Sequence, residues 1–127
     1  MKETKHLLSI IEQGGYPDFV PVYQQLGYTV ESVTTARKAI SWLKRNKANV
    51  IVAEFNFQSD FRDRTSSLES ILATAQRYPD ARVIVFYDKE REQQLARLQA
   101  VFPDILPLAF PIDESALHEA LKQVDEK

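Results

Sequence analysis

Few side chains in this sequence stand at spacings that could do chemistry, and none completes a catalytic set. His6 and His118 are isolated, which supports neither a histidine metal cluster nor a His-containing triad. Cysteine is absent, so disulfides, thiol chemistry and Cys-based zinc sites are excluded. Gly14-Gly15 lacks the spacing and the lysine of a phosphate-binding loop and suits a tight strand-to-helix turn better. The least generic stretch is Gln58-Ser59-Asp60-Phe61-Arg62-Asp63-Arg64-Thr65, with two acids, two arginines and one aromatic. An aromatic flanked by arginines is the composition of binding hot spots. Equally, the acids and arginines could pair with each other while Phe61 tucks into the core. Glu12 and Glu54 are the remaining carboxylates next to apolar runs, and no nucleophile–base pair accompanies them.

The elements that must position these groups follow from hydrophobic patterning. Leu7–Ile11, Val50–Ala53 and Val83–Phe86 are short apolar runs rich in β-branched residues, as expected of parallel strands buried on both faces. Tyr28–Val33 alternates like an edge strand. Ile105–Phe110 contains Pro107, which an edge strand tolerates. Helical spacing links Ala36, Ala39, Ile40 and Leu43, with Thr34 or Thr35 as cap. It also links Leu68, Ile71, Leu72 and Ala75, with Ser66 and Glu69 as a capping box. Leu95, Leu98 and Phe102 share a face of a helix starting after Asp88. Leu117, Ala120, Leu121 and Val124 line the last helix, where Asp113 caps and Ile112 staples onto Leu117. A short first helix is expected to be capped by Asp18, to carry Pro21 in its first turn and to end at Gly27. Trp42 lies on the flank of its helix stripe, as a partly packed residue.

Five strand–helix alternations imply an α/β doubly wound domain over residues 1–127, a five-stranded parallel sheet with helices on both faces. Edge character at the second and fifth strands selects the flavodoxin-like order 2-1-3-4-5, which puts any site at the carboxyl ends of strands one and three. The 127 residues are enough for one core, and 44% hydrophobic with 27% charged residues is ordinary for a folded soluble protein. Net charge is −2 with lysines and arginines dispersed along the chain, so no basic stripe points to nucleic acid. The apolar runs are too short to span a bilayer, and Met1–His6 lacks the features of a signal peptide, so a cytoplasmic location is expected.

The stretch from Leu26-Gly27-Tyr28-Thr29-Val30 through Ala36–Ile40 to Val50-Ile51-Val52-Ala53-Glu54-Phe55-Asn56-Phe57 resembles the second strand, second helix and third strand of CheY-like receiver domains of response regulators. Phe110-Pro111 falls where that family carries Lys-Pro. The resemblance covers nearly the whole chain and implies a switch in which an aspartate ending the third strand accepts phosphate. It further implies an acidic pair holding Mg²⁺, a small hydroxyl residue ending the fourth strand, and a lysine pairing with the phosphoryl group.

At those positions this chain has Glu54, Glu12 with Gln13, Tyr87 and Phe110; only Asn56 and Pro111 match. The extra methylene of Glu54 moves its carboxylate by about 1.5 Å, and in-line transfer is sensitive to about 1 Å. Glu54 could mimic a phosphorylated aspartate, although a polar strand end that meets solvent is the plainer expectation. Tyr87 is expected to cap the core with its hydroxyl toward water, and Phe110 to fill the lysine's space and dry the site.

The chain therefore reads as a phosphorylation-independent pseudo-receiver, a non-enzymatic interaction module of two-component signal transduction with no cofactor or metal. Its output is expected through a protein partner or a homodimer. By resemblance, candidate contact residues are Gln94, Arg97 and Val101, with Phe61 and Arg62 nearer the old site. The alternatives are a weak true receiver using Glu54 or Asp60, and a flavodoxin-like small-ligand or metal-binding domain using Glu12, Glu54 and Arg62.

Overall fold

The computed structural model describes residues 5–10, 19–54, 71–77, 81–110 and 112–125. Five strands, β1 (Lys5–Ile10), β2 (Tyr28–Val33), β3 (Val50–Glu54), β4 (Arg82–Asp88) and β5 (Leu106–Phe110), form one parallel sheet of order β2-β1-β3-β4-β5. Between and after them lie α1 (Val20–Gln25), α2 (Ala36–Arg45), α3 (residues 71–75), α4 (Glu92–Val101) and α5 (Glu114–Asp125). The expected order holds, with β2 and β5 at the edges. Pro107 sits in β5, where its missing N–H need not serve a second neighbour.

Strand periodicity of two divides the core in two. Leu8, Ile51, Ala53, Val83 and Val85 face one side, where Leu43 of α2, Leu72 of α3 and Leu95 of α4 close over them. Leu7, Val50, Val52, Ile84 and Phe86 face the other, under Tyr23 of α1 and Leu117 and Leu121 of α5. Because the central strands are covered on both sides, they read as continuous apolar runs. Trp42 and Phe102 pack at the margin of the first cluster, partly buried.

Local signals place most helix ends. The Thr35 hydroxyl accepts a hydrogen bond from the Lys38 N–H at 3.1 Å and caps α2. The Asp88 carboxylate accepts from the Glu90 N–H at 3.0 Å, so a 3-10 turn over Lys89–Arg91 precedes α4. Ile112 and Leu117 are buried in one cluster, as a hydrophobic staple requires. Gly27 adopts φ +93° just past α1, where its N–H donates to the Gln24 carbonyl.

Two expectations are corrected. The N-cap of α1 is Phe19, with no side-chain capping bond, while proline occupies the first turn as anticipated; Phe19 instead contributes its ring to the core. β4 is also longer than its apolar core, by Arg82, Tyr87 and Asp88, because the ladder continues where the side chains are no longer buried, whereas β5 starts one residue later than expected, at Leu106. Asp18, Ser66, Leu68 and Glu69 lie outside the described residues.

Register is pinned at the amino-terminal edge by Asn49. Its side-chain oxygen accepts from the His6 N–H at 2.9 Å and its own N–H donates to the His6 carbonyl at 2.8 Å. The Asn49 carbonyl accepts from the Arg82 N–H at 2.9 Å, so one residue ties β1 to β3 and β3 to β4. That tie fixes which residues stand opposite one another at the carboxyl edge.

Candidate functional site

All five strands run the same way, so their carboxyl ends share one edge of the sheet. The last residues there are Ile10, Val33, Glu54, Asp88 and Phe110, two carboxylates among three apolar residues. Asp88 is exposed, and its carboxylate is used in capping the turn that follows. Glu54 is the group at the centre of this edge.

Strand alternation puts Glu54 on the same face as Val50 and Val52, under α1 and α5. It stands directly opposite Phe86 in the β3–β4 ladder. Phe86 is 1% exposed and meets the Phe19 ring edge-on at 5.9 Å between centroids. Glu54 itself is only 5% exposed. The expectation of a strand-end carboxylate meeting solvent is therefore wrong: the edge closes over residue 54. The pairing that puts Phe86 beside it is long-range, since Phe86 comes from β4.

One residue further along β4, Tyr87 points to the opposite face, half-buried and packed against the first cluster, in register with Ala109 of β5. Phe110 ends β5 opposite Asp88. The structure thus brings Glu54, Tyr87 and Phe110 to the ends of three adjacent strands, as the strand order requires. Glu12, Gln13, Asn56, Phe61, Arg62 and Pro111 lie outside the described residues.

The receiver fold implies a Mg²⁺ site at this edge, and Mg²⁺ demands several hard oxygen donors in near-octahedral geometry. Among the described residues the strand ends bring two carboxylates, Glu54 buried opposite Phe86 and Asp88 exposed and engaged in capping. These two by themselves do not make the several-oxygen set the ion needs.

On α4, Gln94, Arg97 and Val101 fall three and four residues apart and form one stripe beside the buried Leu95 and Leu98. Gln94 lies at the stripe's inner margin. It is half-buried, and its side-chain oxygen is buried without a hydrogen-bond partner among the described residues. Arg97 is exposed, and Val101 is 61% exposed, an unusual position for a large hydrophobic residue in this chain. A further cluster was not anticipated from the sequence. Arg37, Lys38 and Arg45 of α2 line a groove beside β2. Its sequence signal is the run from Thr34 to Asn49, which holds five cations and no acid.

No family model matches the sequence, and no curated protein matches it. The fold does have solved counterparts. The chain is similar to a response regulator receiver protein from Sinorhizobium medicae, with TM-score 0.72 and 18% identity over 96% of this chain and 94% of that one. It is equally similar to a response regulator from Thermotoga maritima, with TM-score 0.72 and 18% identity over 98% and 100% of the two chains. The signal receiver domain of a modulated diguanylate cyclase from Desulfovibrio desulfuricans superposes with TM-score 0.72 at 13% identity, over 98% and 95%. These likenesses establish the CheY-like receiver fold.

Proposed function

We propose that this chain is a regulatory protein–protein interaction domain of bacterial signal transduction that works without phosphorylation of an aspartate. The observation that carries the proposal is Glu54: the residue at the acceptor position is a glutamate, 5% exposed and opposed by Phe86. Phosphoryl transfer needs an acceptor oxygen in line with the donor and a cation to neutralise the transferring group. A longer side chain that is buried opposite Phe86 offers neither access nor position. Tyr87 in place of a small hydroxyl residue and Phe110 in place of a lysine remove the two remaining phosphoryl partners.

A switch without its chemistry retains its contact surfaces. The α4 stripe of Arg97 and Val101, with Gln94 at its margin, supports a partner contact there, because an exposed valine beside an arginine combines apolar area with a directional donor. Phe61 and Arg62 are proposed as a second contact on composition alone. The chain acts in the cytoplasm, on a protein partner or on a second copy of itself, and catalyses no reaction.

Amide spectra of ¹⁵N-labelled protein during addition of Mg²⁺ and then beryllofluoride test the silent site. No saturable shift is expected at residues 54, 87 and 110. Saturable changes there would restore a functional phosphoacceptor or metal site. Capture of partners from a lysate of the native host by wild type and by Arg97→Glu/Val101→Asp and Phe61→Ala/Arg62→Ala variants tests the surfaces. Each pair should lose a specific interactor, and unchanged recovery by both would remove the interaction reading.

A further inference from the structure

We propose that the groove between α2 and the outer strand β2 binds an acidic, extended segment of a partner protein. The inference rests on the reading of the chain as an interaction domain but uses a different helix from the α4 surface, so the two fail separately. The groove is open, has a volume of about 650 Å³, and has Glu31 and Val33 of β2 on its strand side. Its helical wall is Arg37, Lys38, Ser41, Trp42 and Arg45.

Charge is the first argument. The whole chain carries −2, yet Arg37, Lys38, Lys44, Arg45 and Lys47 follow one another with no acid between Thr34 and Asn49. Folding turns a composition that looked dispersed into a one-sided surface, because three of these cations line the same groove. Arg37 and Lys38 also stand in the first turn of α2, where no acidic residue accompanies them. Cations are disfavoured there by the helix dipole. The helix bears that cost without any return inside the described fold, since neither side chain has an ion pair among the described residues. Local rules broken in this way mark functional surfaces more often than structural ones.

Geometry supplies the shape of the occupant. Arg37, Ser41 and Arg45 recur every four residues and so form one row, spaced at about 6 Å along the helix. The Arg45 guanidinium donates to the Ser41 hydroxyl at 3.0 Å, which holds two members of the row together. Same-face residues of an extended chain recur at about 6.6 Å. Acids at alternate positions of such a chain therefore meet Arg37 and Arg45, with the one between them over Ser41. Among the described residues β2 pairs only with β1, so its outer edge can take an added strand. Trp42 is half-buried at the groove, its ring edge-on to His6 at 6.4 Å, and gives the occupant a fixed apolar wall.

Charge placement favours a peptide over a nucleic acid. Glu31 is exposed and adds a negative charge to the groove, which opposes a continuous polyanion more than a segment whose acids are spaced to meet Arg37 and Arg45. The net negative charge of the remainder of the chain also repels a long polyanion beyond the groove.

The test is fluorescence anisotropy of a fluorescein-labelled, end-blocked decapeptide of alternating glutamate and threonine against the full chain. Saturable binding is expected that weakens with added salt and falls at least about tenfold in Arg37→Glu/Arg45→Glu. Amide shifts should map to residues 31–46. The Arg97→Glu/Val101→Asp variant should bind the peptide as wild type does. Absence of saturable binding, binding indifferent to the α2 charge reversal, or loss only in the α4 variant would overturn the assignment. Tighter binding of an oligothymidylate, abolished by the same α2 reversal, would reassign the groove to nucleic acid. Circular dichroism of both variants confirms that they fold.

Discussion

Replacing Lys38 by glutamate should make the protein more stable while weakening any acidic ligand of the α2 groove. Lys38 is the third residue of α2 after the Thr35 cap, and its backbone N–H already donates to the Thr35 hydroxyl at 3.1 Å. A glutamate at this position completes the reciprocal capping box, its carboxylate reaching back to the backbone N–H of Thr35. It also exchanges a cation for an anion in the first turn, where each favourable charge contributes about 0.3–1 kcal/mol on an exposed helix. Together these amount to roughly 1 kcal/mol. For a chain of 127 residues the unfolding entropy is about 0.27 kcal/mol/K, which places the rise in Tm near 4 °C. Urea and thermal unfolding followed by circular dichroism would measure it, with Lys38→Gln as the variant that removes the cation and keeps a capping group. At high salt the charge contribution should fade while the capping bond persists, so part of the gain remains. A Lys38→Glu protein no more stable than wild type at low salt would refute the claim that the cations of this turn are held against the helix's own preference.

Other perturbations follow from the described contacts. Asn49→Ala removes the acceptor for the His6 N–H and should cost about 1–2 kcal/mol, with faster hydrogen exchange at the His6 amide as the local readout. Gly27→Ala introduces a Cβ that meets nothing within 4 Å, so its cost should be backbone strain alone, about 1 kcal/mol by urea melt. Leu117→Ala, at a fully buried position under the sheet, should cost about 2–5 kcal/mol by the same measurement.

The structure also accounts for what patterning missed. Residue type favours Asp18 as the cap, but the chain enters α1 through Phe19, whose ring meets Phe86 edge-on in the same core cluster. A local capping preference worth about 1 kcal/mol yields to burial of an aromatic ring. Glu54 was assigned to solvent because strand ends usually emerge from the core. It is instead buried, with Phe86, thirty-two residues later in the chain, directly opposite in the ladder. The apparent scatter of lysines and arginines had the same origin, since linear spacing does not say which cations a helix turns toward one groove.

The order of strands and helices, the two edges of the sheet, a threonine cap at residue 34 or 35 and the turn at Gly27 were all present in the linear chain. Each depends on residue identity or on a period of two or 3.6, and both are local properties. Burial of the Glu54 carboxylate and the gathering of Arg37, Lys38 and Arg45 beside β2 were decided by the packed molecule alone. They depend on which distant segments become neighbours when strands pair, and Asn49, by fixing that pairing, connects the local pattern to the site.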